Sequence, residues 1–123
     1  MSTIVAATLS NGTVSTSTAN CIRGSARAWI NYNASTQTIR ASYNVSSVTY
    51  NATGNYTINM TNAMADAEYV ITGTGQTVDA GTSANIIAIQ NGSTPTTTAF
   101  QIRSLDQNVG FVNPARVCIS VFD

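Results

Sequence analysis

From Ile39 to Ser46 apolar and polar side chains alternate without a break: Ile39, Ala41, Tyr43 and Val45 against Arg40, Ser42, Asn44 and Ser46. Successive side chains of an extended strand point to opposite faces, so this spacing predicts one buried face and one wet face. Similar signals recur along the chain. Arg27-Ala-Trp-Ile-Asn-Tyr-Asn33 alternates and is rich in aromatic and β-branched residues. Tyr56, Ile58 and Met60 return on the matching face after a hairpin expected through Asn51-Ala-Thr-Gly54. Further strands are predicted over 68–74, 85–90, 98–105 and 116–122. Turn-rich stretches separate them at Gly73-Thr-Gly75, Asp79-Ala-Gly81, Asn91–Pro95 and Asn108-Val-Gly110. The segment 61–67 is the one helix-compatible stretch, and it is short enough to be read as a connection with at most one helical turn. The pattern predicts an all-β fold: an antiparallel β-sandwich or jelly-roll-like single domain of roughly seven to nine strands. Ile39, Ala41, Tyr43, Val45, Tyr56, Ile58, Ile102, Val117, Ile119 and Val121 are expected to point inward.

Residues 1–24 read differently. An apolar piece from Ile4 to Leu9 precedes a polar run, Ser10 to Asn20, with one Asn-Gly turn signal and no core pattern. These residues are expected to form an N-terminal docking arm or edge strand, with Ile4, Val5 and Leu9 as its contacts, ahead of a β-sandwich domain over 25–123. A segment of this type can add to a sheet edge of another subunit. It can equally be the first strand of its own sandwich.

Composition narrows the function. Charged residues are 8% of the chain, five Arg against five acids, and the net charge is zero. A neutral chain without a basic cluster has no means of neutralising phosphates, so nucleic acid is not an expected partner. Few charges and a net charge near zero favour association. There is no His, which removes the commonest general base and the commonest transition-metal ligand. The acids Asp66, Glu68, Asp79, Asp106 and Asp123 are scattered, and neither a phosphate loop nor enough oxygen ligands for calcium at Asp79 or Asp106 accompanies them. No catalytic residues, metal ligands or cofactor are therefore expected, and the chain is read as not an enzyme.

Cys21 and Cys118 share no metal-ligand spacing; a disulfide between them stays open beside the reading of two small buried hydrophobes. The N-terminus lacks the basic n-region and apolar run of a signal peptide, and no stretch nears the roughly 20 apolar residues of a membrane span. The expectation is a chain made in a cytoplasm, with no membrane partner and with Asn-x-Ser/Thr triplets that reflect composition rather than glycosylation.

Trp29 is the residue that most invites a site. Strict alternation gives it one face with Arg27, Asn31 and Asn33, and gives Ala28, Ile30 and Tyr32 the other. A Trp among Arg and Asn suits a subunit interface or a sugar platform, unless the strand is buried on both sides. Trp29, Tyr32 and Arg27 are the candidate interface residues.

Four segments resemble a known group. Ala26-Arg-Ala-Trp-Ile-Asn-Tyr-Asn33, Ile39-Arg-Ala-Ser-Tyr-Asn-Val-Ser-Ser47, Gly54-Asn-Tyr-Thr-Ile-Asn-Met-Thr61 and Met64-Ala-Asp-Ala-Glu-Tyr69 occur in that order. They are similar to segments in tail-fibre and other virion-surface structural proteins of tailed phages, of the cyanophage and marine-phage type. The similarity covers about residues 25–72, and Val117–Phe122 resembles the closing strand of such domains. The resemblance implies a role on the virion surface and a homotrimer that contacts other virion proteins, either major capsid protein or a tail component. Only residues 1–24 precede the domain, which shifts the expectation from a long fibre to a compact capsid decoration (cement) protein or short fibre knob. A tail-fibre tip binding a host receptor or surface glycan is the alternative.

Overall fold

The computed structural model describes residues 2–77 and 84–123. The turn expected at Asp79-Ala-Gly81 lies outside the described residues. An arm comes first: a hairpin of β1 (Thr8–Ser10) and β2 (Ser15–Ser17), then helix α1 (Thr18–Gly24). Among the described residues nine strands follow: β3 (Ala28–Asn33), β4 (Thr38–Tyr43), β5 (Val45–Ala52), β6 (Asn55–Met60), β7 (Val70–Gly75), β8 (Asn85–Ile89), β9 (Ala99–Asp106), β10 (Gly110–Phe111) and β11 (Val117–Phe122). They make the predicted all-β architecture of two antiparallel sheets around one core. One sheet has the order β4-β3-β11-β7. The other runs β5-β6-β9-β8, and β10 extends the β6 side of β9.

The alternating strands fill the space between the sheets. Ala28, Ile30 and Tyr32 of β3 and Val117, Ile119 and Val121 of β11 are buried, facing Tyr56 and Ile58 of β6 and Phe100 and Ile102 of β9. Tyr32 meets Tyr56 edge to face with centroids 5.6 Å apart, and Tyr69 meets Phe100 at 6.0 Å, the geometry aromatic quadrupoles favour. Ile39 and Val45 are half-buried against this core.

Ala41 and Tyr43 do not point inward. Asn31 is paired with Ala41, but its neighbour Tyr32 is paired with Ile39, so Arg40 is the extra residue of a β-bulge. A bulge shifts the phase of alternation by one residue. Ile39 therefore keeps the inner face beside Tyr32, whereas Ala41 and Tyr43 share the outer face with Asn31 and Trp29. The next residue, Asn44, takes φ 55°, a left-handed conformation that Asn tolerates. It carries the chain from β4 in one sheet to β5 in the other.

Two more expectations are corrected. Gly73-Thr-Gly75 is not a turn but the end of β7, paired with Val117–Ile119. A Cβ on Gly75 would overlap the Asn85 side chain, and one on Gly73 would overlap Ile119. The glycines let β8 and the core close over β7. Segment 61–67 is the short connection expected, made of bends, but it is not where the helix lies. Its backbone is committed elsewhere, because Met64 N–H donates to the Thr97 carbonyl at 2.8 Å and Ala65 N–H to Asp123 Oδ2 at 3.2 Å. The helix stands instead at 18–24, where Ser17 Oγ caps it by accepting from Asn20 N–H at 3.1 Å.

Candidate functional site

The outer face of the β4-β3-β11-β7 sheet follows from the register. Trp29 lies between Tyr43 on β4 and Ser120 on β11, and Ser120 faces Thr72 on β7. The next row holds Ala41, Asn31, Cys118 and Thr74; on the other side Phe122 is paired with Val70. Trp29 is 40% exposed, Tyr43 58% and Val70 58%. The polar rows of this sheet thus carry large apolar side chains that the sandwich leaves open to solvent. Arg27, exposed, enters the sheet by donating its N–H to the Val121 carbonyl at 2.7 Å.

Asn44 fixes one end of this face. Its Nδ2 donates to the carbonyls of Arg27 at 3.1 Å and Asn62 at 3.2 Å, and its Oδ1 accepts from Asn62 N–H at 2.8 Å. These bonds hold the approach to β3, the β4–β5 crossing and the segment after β6 at one point. A cleft of about 650 Å³ opens there between α1 and the sandwich, lined by Ile22, Arg27, Tyr43, Asn44, Met64 and Asp123 among others.

The sequence-predicted residues separate. Trp29 and Arg27 are outward, as alternation from Ala28 requires. Tyr32 belongs to the core, 2% exposed, and is no interface residue; desolvation raises its phenol above the ordinary tyrosine range. Tyr43 takes its place beside Trp29, a position the bulge creates and the uninterrupted pattern of 39–46 concealed. Ile4 is 94% exposed, Val5 92% and Leu9 51%. No described residue of 2–24 is buried, and among the described residues the arm's hairpin is a sheet of its own, not paired with a strand of the sandwich.

The acids have local tasks. Asp66 Oδ1 accepts from Glu68 N–H at 2.8 Å, Asp106 Oδ1 from Asn108 N–H at 2.9 Å, and Asp123 Oδ2 holds Ala65. Asp79 lies outside the described residues. Among the described residues no three His, Cys, Asp or Glu side chains cluster to hold a metal ion. Cys21 and Cys118 are both free thiols, half-buried on α1 and on the outer face of β11. No family model, curated protein or solved structure matches the chain.

Proposed function

We propose that this chain is a non-enzymatic structural protein of a tailed-phage particle, displayed on the virion surface as a compact trimeric decoration (cement) protein or short fibre knob. The observation that carries the reading is a division of labour. A β-sandwich completes its own core, while none of the 23 described residues ahead of it is fully buried and Ile4, Val5 and Leu9 are presented to solvent. Exposed apolar side chains on an extended segment are expected to find cover in a partner. The outward Trp29–Tyr43 pair, on a chain with 8% charged residues, suits a subunit contact, where aromatic residues are enriched and charges depleted. The partners proposed are copies of the chain and a major capsid or tail protein. Cryo-electron microscopy of purified particles encoding the chain tests this. Density for the sandwich at symmetric positions on head or tail supports the reading, and particles without the chain refute it.

The alternative is a fibre-tip module for a host glycan. Trp29 favours it, because an exposed indole near Arg27 and Asn31 suits stacking on a sugar ring with polar contacts around it. Titration with host-surface glycans should then quench Trp29 fluorescence, and Trp29→Ala should abolish binding.

A further inference from the structure

Among the described residues the second sheet ends on a strand hydrogen-bonded on one side, its inner face against Gly73 and Gly75 of β7. This strand, β8, pairs only with β9 among the described residues. The Gln90 N–H donates to the Gln101 carbonyl and Gln107 N–H to the Ala84 carbonyl, so the bonded positions toward β9 are the even ones, 84, 86, 88 and 90. Alternation then turns the N–H and C=O groups of Asn85, Ile87 and Ile89 to the open edge. Native edge strands are normally guarded by charges, proline or a bulge. None stands here: β8 is Asn-Ile-Ile-Ala-Ile, no Asp, Glu, Lys or Arg occurs from 84 to 102, and Ile86 and Ile89 are 52% and 50% exposed.

The same chain carries a segment without a partner. Residues 2–5 make no hydrogen bond to any other described residue, and the carbonyls of Ala6 and Ala7 are tied to Thr18 at 2.8 and 3.0 Å. This segment is uncharged through residue 22 and centres on Ile4-Val5. Residues 2–6 match the five residues of β8 in length. We propose that residues 2–6 of one copy add as an outer strand to β8 of a second copy. Main-chain bonds then satisfy the groups of Asn85, Ile87 and Ile89, and Ile4 and Val5 cover Ile86 and Ile89. A second copy is the occupant because both halves are apolar, uncharged and equal in length, because the main-chain groups of residues 2–5 and the outer ones of Asn85, Ile87 and Ile89 have no partner among the described residues, and because a chain of zero net charge does not repel itself. The contact is heterologous, arm to edge, so it propagates into a ring or a filament rather than stopping at a symmetric pair.

The inference goes beyond the virion reading and is tested without particles. Light scattering of the full chain over a concentration series should show assemblies larger than one 12.9 kDa chain. Val5→Pro damages only the arm, and Ile86→Lys with Ile89→Lys damages only the edge; each variant should run as a monomer with an unchanged circular dichroism spectrum. Mixing the two variants restores one intact arm and one intact edge. The mixture should give a dimer of twice 12.9 kDa and nothing larger. A monomeric parent chain, assemblies unaffected by either variant, or a mixture that stays monomeric overturns the proposal.

Discussion

The Tyr56 hydroxyl, at the centre of the core, donates to Asn113 Oδ1, and the same oxygen accepts from Gly54 N–H at 2.9 Å. One amide from the β10–β11 connection thereby ties the β5–β6 turn to the buried phenol. Gly54 itself sits at φ 65°, and a Cβ there would overlap the Ser104 carbonyl oxygen. The turn is thus held from below by β9 and from the side by Asn113. Asn113→Ala leaves the phenol with the Val112 carbonyl at 3.2 Å and strands the Gly54 N–H. The expected cost is about 1–3 kcal/mol, the range for orphaning a buried polar group, measured by urea denaturation.

The bulge in β4 predicts opposite outcomes for two residues. Ile58, 1% exposed, is core, and Ile58→Ala should cost about 2–5 kcal/mol. Tyr43, 58% exposed, should tolerate Ala within about 0.5 kcal/mol in the isolated chain. Equal losses in thermal unfolding would place Tyr43 in the core and refute the phase shift.

Stability should fall in alkali. Burial raises the phenols of Tyr32, Tyr56 and Tyr69 above the ordinary value of 10.0. Each native phenol then holds its proton to higher pH than its unfolded counterpart. Their stabilisation is full below pH 10 and is lost as pH rises through the folded values. Tyr50 acts in the opposite sense, since hydrogen bonds with Thr53 and Asn113 lower its phenol; its contribution appears only as it ionises. With three groups against one, the urea midpoint should decline above about pH 10, read against the tyrosinate absorbance.

Deleting residues 1–20 separates a docking arm from a first strand. Because no described residue of this stretch is buried, the truncated chain should keep its thermal midpoint while losing attachment to its partner. Unfolding or aggregation on truncation would make the arm part of the core.

Strands with both neighbours in the sheet were legible from the sequence. β3 and β11 alternate, and their inward sets, from Ala28 to Tyr32 and from Val117 to Val121, are buried as the period requires. β4 is an edge strand, and there the cleanest alternation misled. Nothing in the residue types at 39–43 marks the bulge at Arg40, because Ala41 and Tyr43 suit an inner face as well as an outer one. The one local hint is Asn44, a residue that tolerates the left-handed region, placed in an apparent strand. Gly73 and Gly75 read as turn residues because their reason is non-local, the approach of Ile119 and Asn85. The helix at 18–24 escaped because Thr, Asn and Gly are poor helix formers and its cap from Ser17 spans a single turn. Trp29 and Arg27 were placed on the correct face by period alone, whereas Tyr43 needed the fold.

The two free thiols divide between the two parts of the molecule. Cys21 rides on the arm helix, and Cys118 sits on the outer face of the first sheet between Asn31 and Thr74. The chain thus carries its own pair of reporters, one for each surface proposed to meet a partner. Occupation of the sheet face would slow the reaction of Cys118 with a thiol reagent and leave Cys21 untouched. Engagement through the arm would shield Cys21 first, so the order in which the two sulfurs fall silent tells which surface is taken.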